Sequence, residues 1–185
     1  MKWIFLISWL AFFSCTKSKN IFSIELRTIG GASFAFTDIN KNKATVLLFI
    51  SPDCPLSQKY TLPIRELKNK YKKDNVLFLG IVPGIHHADS SIKKFASEYH
   101  LEIPLLLDET YDLTHNLQAT ITPEVFVIDI NGKTFYSGCI DNWFVELGKK
   151  REVVTEKYLD KALSAIVNNH EVSPKRTKAI GCFIE

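Results

Sequence analysis

Apolar residues follow two different periods on either side of residue 54. Five consecutive apolar residues at 46–50 predict a buried strand. From Pro55 onward, apolar side chains recur at helical spacing through Leu56, Tyr60 and Ile64. Cys54 therefore lies where a strand ends and a helix begins. Unpaired backbone N–H groups and the positive end of the helix dipole at such a position lower a thiol pKa and increase the thiolate fraction.

The remaining pattern extends this unit into an α/β domain. The other predicted strands are at residues 22–28, 33–37, 76–82, 104–107, 125–130 and 134–140, and further helices are predicted at 89–100 and 155–167. Asn131-Gly132 predicts a hairpin between the last two strands. Alternating strands and helices need parallel pairing, and the hairpin adds an antiparallel edge. We expect a mixed central sheet with helices on both faces, followed by a C-terminal tail at residues 169–185.

Composition changes this picture little. A chain of 185 residues with 46% hydrophobic and 23% charged residues is typical of a globular domain. The formal net charge is +3, and the basic clusters at 149–151 and 175–178 are short. Such clusters are typical of a solvated surface, so we predict no nucleic-acid partner.

The N-terminus carries a targeting pattern. Lys2 precedes an apolar stretch at residues 3–13, and Ser14 and Cys15 follow it. This resembles a bacterial lipoprotein signal, which implies a signal peptide at 1–14, a lipid on Cys15 and a linker at 15–21. The protein would then be anchored to a membrane of the cell envelope, facing the periplasm or the exterior. The alternative is an uncleaved transmembrane anchor, but the apolar stretch is shorter than the about 20 residues that a span needs.

These residues resemble the thioredoxin-like superfamily and, within it, the alkyl hydroperoxide reductase/thiol-specific antioxidant (AhpC/TSA) group of redoxins. The resemblance rests on Cys54-Pro55 at the strand–helix junction, on Thr122-Pro123-Glu124 before a strand, and on the hairpin. Extracytoplasmic redoxin-like proteins share further motifs, found here at residues 53–57, 138–142, 148–151 and 181–184. The resemblance implies a thioredoxin-like domain at 22–168, with Pro123 in cis and Thr122-Pro123 presenting a backbone edge to substrate.

Two departures from the related enzymes leave the reaction open. Thioredoxin-type reductases use Cys-x-x-Cys, but Ser57 stands at the second position. Peroxiredoxins place a hydroxyl residue three positions before the cysteine, as Ser51 does, and a proline four positions before that hydroxyl, where this chain has Leu47. No arginine maps onto the peroxidase pattern; Arg65 is only a guess. We predict a thiol redox protein with a single cysteine, Cys54, at the helix N-terminus, acting on a protein thiol, a protein disulfide or a peroxide.

A second thiol is needed to release a mixed disulfide on Cys54. Cys182, in the shared Gly-Cys-x-Ile motif, is the favoured partner and Cys139 is the second candidate; a site with no internal partner is the third possibility. Two accessory residues each have two interpretations. Glu124 is either a proton shuttle or an exposed loop carboxylate, and Ser57 either bonds the thiolate or caps the helix.

Two other classes of function remain open. A thioredoxin-like copper chaperone would use Cys54, Cys182 and a histidine, but the Cys-x-x-x-Cys pair of such chaperones is absent because residue 58 is Gln. A non-catalytic binding module would keep the fold and lose the reactivity of Cys54. For the favoured redox function we predict neither a cofactor nor a metal.

Overall fold

The structure is a computed structural model that describes residues 20–185. The predicted signal peptide, Cys15 and most of the predicted linker lie outside these residues. Within the described part of the chain, no helix has the length and apolar character needed to cross a membrane.

The elements follow the predicted order. The strands are β1 (Glu25–Thr28), β2 (Ser33–Ala35), β3 (Ala44–Phe49), β4 (Val76–Pro83), β5 (Leu105–Asp108), β6 (Ile121–Thr122), β7 (Glu124–Ile128), β8 (Thr134–Gly138), β9 (Phe144–Glu146), β10 (Lys149–Lys150) and β11 (Cys182–Phe183). The helices are α1 (Pro55–Lys70), α2 (Asp89–Glu98), α3 (Asp112–Leu117) and α4 (Tyr158–Val167), with 3₁₀ turns at Ile21–Ser23 and Phe36–Lys41.

The predicted mixed sheet is confirmed. Its strand order is β2-β1-β5-β4-β3-β7-β8, with β3, β4 and β5 parallel and the flanking strands antiparallel. The parallel strands are joined by α1 and α2, as crossover connections require. Because parallel strands all end at one edge, the loops that follow β3 and β4 meet there.

The sheet is buried on both faces. Every residue of β3 is buried, and successive side chains alternate between two hydrophobic cores. Val46 and Leu48 join the core beneath α1, α2 and α4, whereas Leu47 and Phe49 join the core beneath the 3₁₀ turns and α3. The continuous apolar run at 46–50 is therefore explained by burial on two sides.

Four short strands were not predicted from the sequence. They are β6, β9, β10 and β11, each two or three residues long. In addition, α4 begins at Tyr158 rather than at residue 155, and the predicted second strand gives way to a 3₁₀ turn at Phe36.

The C-terminal tail is fixed along the sheet edge. The Ser137 N–H donates to the Lys175 carbonyl at 3.0 Å, and the Thr177 N–H donates back to Ser137 at 2.9 Å. Gly138 has φ +128, and a Cβ there would overlap the Thr177 backbone, so this crossing needs glycine. The tail then continues to β11, which pairs with β6.

We predict that Leu47→Ala lowers the free energy of unfolding by about 2–5 kcal/mol, because it leaves a cavity at a fully buried position. Leu62→Ala is the matched control, since that side chain is 49% exposed on α1; we expect a change within about 0.5 kcal/mol. Urea denaturation measures both. Equal losses for the two variants would contradict the assignment of the second core.

Candidate active site

A short, hydrogen-bonded loop fixes Cys54 at the start of α1. Its N–H donates to the Ser51 carbonyl at 3.1 Å, and its carbonyl accepts from the Gln58 N–H at 3.1 Å. The Gln58 side chain also donates to the Pro52 carbonyl at 2.9 Å. Pro55 occupies the first helical position, where its missing N–H costs no helix bond. Cys54 is thus the N-cap residue of α1, as the sequence predicted.

Hydrogen-bond donors surround the Cys54 sulfur. In the thiol form, Sγ donates to the Thr122 carbonyl at 3.0 Å. Burial opposes ionisation of this thiol, whose residue is only 2% exposed. Hydrogen bonds from the Cys182 thiol and from the N–H and hydroxyl of Ser57 outweigh burial, and the pKa of Cys54 falls below its ordinary value. Ser57 therefore faces the sulfur, which favours the thiolate-bonding interpretation of this residue.

The loop opposite Cys54 presents a backbone edge, and the chain's own tail occupies it. The Thr122–Pro123 peptide bond is cis. In the pairing of β6 with β11, Cys182 lies opposite Thr122 and Phe183 lies opposite Ile121. The Ile184 N–H donates to the Thr120 carbonyl at 2.9 Å, which extends the pairing by one residue.

This pairing brings the Cys182 thiol within hydrogen-bonding reach of the Cys54 sulfur. Burial, together with the neighbouring Cys54, raises the pKa of Cys182 to about 12. Both cysteines are free thiols in this structure. A Cβ on Gly181 would overlap the Thr122 carbonyl oxygen, so the close approach of the tail depends on glycine at this position.

Cys139 and Glu124 have other contacts. The Cys139 thiol donates to the Lys178 carbonyl at 2.6 Å, and burial raises the pKa of this thiol. Glu124 is 7% exposed and accepts from the Thr120 N–H at 3.0 Å, so the exposed-carboxylate interpretation is wrong. Burial raises the pKa of Glu124, although backbone hydrogen bonds oppose the shift. Glu124 thus holds the loop that carries Thr122, and Cys139 is bonded to the tail.

A cleft of about 290 Å³ opens beside the two sulfurs. Its lining comprises Ser51, Asp53, Cys54, Pro83, His86, His87, Thr122, Cys182, Phe183, Ile184 and Glu185. This lining holds neither arginine nor lysine. Arg65 instead donates to the His100 carbonyl at 3.5 Å, which makes it a poor candidate for a peroxide-binding arginine.

The sequence did not single out His87 for a role in thiol chemistry. Its Nε2 lies 3.1 Å from the Ser51 hydroxyl oxygen, and its Nδ1 lies 3.6 Å from a carboxylate oxygen of Asp53. The loop that carries it follows β4, which ends next to β3. Histidine after a parallel strand is the signal that could have placed it at this edge.

The cleft contains side chains of the kinds that the copper alternative would use as metal ligands. Two thiols and two histidines line the cleft. Among residues 20–185, however, no three His, Cys, Asp or Glu side chains are grouped closely enough to hold a metal ion. The side chains present do not form a metal centre in this arrangement.

Comparisons with known proteins agree with this architecture. The model of the AhpC/TSA family matches residues 18–136. A hypothetical protein from Sinorhizobium meliloti is 22% identical, with a TM-score of 0.77 over 87% of this chain and 89% of its own. An uncharacterized conserved protein from Geobacillus kaustophilus is 26% identical, with a TM-score of 0.76 over 88% and 87%. A secreted Mycobacterium tuberculosis disulfide oxidoreductase is 17% identical, with a TM-score of 0.57 over 82% and 98%. A search of curated proteins gives no match.

We predict that Ser57→Ala moves the alkylation of Cys54 to higher pH. Alkylation follows the thiolate, and the pKa of Cys54 lies below its ordinary value, so the wild-type rate should reach half its maximum at a lower pH than that of an unperturbed thiol. The variant loses a hydrogen bond to the thiolate, and its rate near neutral pH should fall several-fold. Iodoacetamide labelling read by peptide mass spectrometry measures this. Ser91→Ala, at the third position of α2 and exposed, is the matched control; an unshifted Ser57→Ala profile would contradict the assignment.

Gly181→Ala should release the tail from β6, because the added Cβ meets backbone rather than a movable side chain. We expect amide exchange across residues 182–184 to accelerate by roughly 10-fold or more as these hydrogen bonds open. Hydrogen–deuterium exchange mass spectrometry measures it. Gly30→Ala is the control, since a Cβ there makes only ordinary contacts. Equal protection in both variants would show that the tail does not depend on this approach.

Proposed function

The chain belongs to the AhpC/TSA family, and on that premise we propose that it is a thiol–disulfide oxidoreductase. In this proposal Cys54 is the single nucleophile and Cys182 is the resolving thiol. The predicted lipid on Cys15 would hold the domain at a membrane of the cell envelope, where disulfides persist. The clients would then be extracytoplasmic proteins.

The position of Cys182 opposite Thr122 carries the proposal. A local Cys-x-x-Cys pair is absent, because Ser57 stands at its second position. The paired tail supplies a second thiol at the Cys54 sulfur instead. Holding two reactants together in this way makes the second step intramolecular, which favours it strongly over attack by a free thiol.

The reaction follows from the two thiols. The Cys54 thiolate attacks one sulfur of a client disulfide, forms a mixed disulfide and releases the other client sulfur as a thiolate. Cys182 then gives up its proton and attacks the Cys54 sulfur, which forms the Cys54–Cys182 bond and breaks the bond to the client. The client gains two electrons from the cysteine pair. Of the two protons that the client takes up, one comes from Cys182 and the other from solvent, because Cys54 enters the reaction as a thiolate. A dithiol reductant returns the pair to its starting state.

Three features favour a disulfide over a peroxide as substrate. The cleft lining offers no arginine or lysine to polarise a peroxide. The cis-proline edge already binds an extended, cysteine-bearing strand, because β11 lies there. The Thr122 hydroxyl is also buried without a hydrogen-bond partner among residues 20–185, so a polar group of a client would gain a bond there.

Peroxide reduction is the second candidate, and the family match favours it. A peroxide would oxidise the Cys54 thiolate to a sulfenic acid and leave as an alcohol or water. Condensation of the sulfenic acid with the Cys182 thiol would release water and give the same internal disulfide. Reaction of the reduced protein with hydrogen peroxide and with a protein disulfide, at equal concentrations, separates the two substrates.

We predict that mild oxidation by a small disulfide gives a Cys54–Cys182 link in the wild-type protein. Cys54→Ser should abolish both this link and adduct formation at the site. Cys182→Ser should leave a stable mixed disulfide on Cys54, because no thiol resolves it. Non-reducing peptide mass spectrometry identifies each product.

Cys139→Ser is the matched control, since the Cys139 thiol donates to the Lys178 carbonyl. We expect it to form the Cys54–Cys182 link at the wild-type rate. A Cys54–Cys139 link in the wild-type protein, or no link of any kind, would overturn the proposed role of Cys182.

A further inference from the structure

The proposed reaction needs a base for Cys182. Its thiol is held protonated in the reduced site by burial and by the neighbouring Cys54. In the reduced protein the Cys54 thiolate can accept that proton. Once Cys54 is joined to a client, its sulfur no longer carries a negative charge. A different group must therefore take the proton at the step in which Cys182 attacks.

Four titratable side chains line the cleft besides the two thiols: Asp53, His86, His87 and Glu185. The Asp53 side chain is 85% exposed, whereas the His87 side chain is 14% exposed. His86 and Glu185 both lie at exposed positions. His87 is thus the imidazole that the protein encloses beside the sulfurs.

The contacts of His87 select one tautomer. The Asp53 carboxylate lies 3.6 Å from Nδ1, too far for a hydrogen bond but close enough to favour a proton on that nitrogen. Nε2 then keeps its lone pair and accepts from the Ser51 hydroxyl at 3.1 Å. A carboxylate, an imidazole and a hydroxyl in this order are arranged as in proton-transferring triads, where the carboxylate orients the ring.

Resting on the function proposed above, we propose that His87 is the proton-transfer residue of the resolving step, oriented by Asp53 and Ser51. The Ser51 hydroxyl releases its hydrogen bond to Nε2, and Nε2 takes the proton of Cys182 as the Cys182 sulfur bonds to Cys54. The imidazolium then returns that proton to the departing client thiolate, which leaves as a thiol. One S–S bond forms, one breaks, and the histidine ends in its starting state.

Ser51 has a defined part in this proposal. Its backbone N–H donates to the Ser57 hydroxyl at 3.3 Å, and Ser57 bonds the Cys54 sulfur. Ser51 therefore links the histidine to the group that stabilises the Cys54 thiolate. It is a positioning residue, because it acts on the sulfurs through its neighbours.

An aromatic disulfide, dithiobis-nitrobenzoate, separates the two steps in the full chain carrying Cys139→Ser. Attack by Cys54 releases one coloured thiolate, and resolution by Cys182 releases a second. The phase that disappears on adding Cys182→Ser is the resolving step. We expect His87→Gln to slow this phase by about 100-fold near neutral pH, at the lower end of general acid–base contributions, and to leave the first phase unchanged.

The pH profile distinguishes proton transfer from a structural role. A general base acts in its deprotonated form, so the resolving rate should rise with pH in the protein with His87; in His87→Gln this rise should vanish. Free imidazole should restore the resolving rate of His87→Ala. His170→Gln, at an exposed position outside the cleft, is the matched control and should keep both rate and profile.

The possible results distinguish a failure of the role of His87 from a failure of the proposed function. A normal Cys182-dependent phase and pH profile in His87→Gln would overturn the role of His87 and leave the proposed function standing. A slowed phase that keeps its pH profile and is not rescued by imidazole would also overturn it, since the effect would then be structural. A protein with His87 that lacks any Cys182-dependent phase would instead overturn the proposed function.

Discussion

The pairing of β11 with β6 is the contact on which the candidate site depends. Only two residue pairs and one further hydrogen bond form it. They nevertheless place a cysteine from the last residues of the chain beside the cysteine at the start of α1. Glycine is needed at both points where the tail passes closest to the domain, at Gly138 and Gly181. The second thiol of the site thus comes from long-range backbone pairing and not from the local sequence around Cys54.

The two thiols differ because their surroundings differ. Cys54 receives hydrogen bonds from a helix N-terminus and from Cys182, which lower its pKa against the effect of burial. Cys182 lies at the end of a short strand, where burial and the neighbouring Cys54 raise its pKa. These shifts favour the thiolate on Cys54 and the thiol on Cys182. In the proposed reaction this asymmetry would supply a nucleophile and a protonated resolving partner, which is the order of roles that disulfide exchange requires.

The sequence predicted the sheet well and the tail poorly, for physical reasons. Strands buried on both faces, such as β3 and β4, leave continuous apolar runs that are readable without coordinates. A two-residue strand such as β11 is too short to show a hydrophobic period. It also pairs with a strand far away in the sequence, since Thr122 lies 60 residues before Cys182. His87 was missed for the same reason: its contact with Ser51 spans 36 residues and depends on two strand ends meeting. The family motifs identified Cys182 as the candidate partner of Cys54, but only the structure showed that Cys182 lies on the backbone edge at Thr122.

Occupation of the cis-proline edge by the tail restricts how a client can approach. Cys54 is 2% exposed and, among residues 20–185, it lines the cleft beside Ser51 and His87. A small disulfide can use the cleft. A protein segment that pairs with Thr122 must first displace the tail, and short pairings of this kind open at little cost in free energy. In the proposed reaction, displacement would also move Cys182 away from Cys54, so a client bound at the edge would delay the resolving step until the tail returns. The same short strand would then control both access to Cys54 and the release of the client.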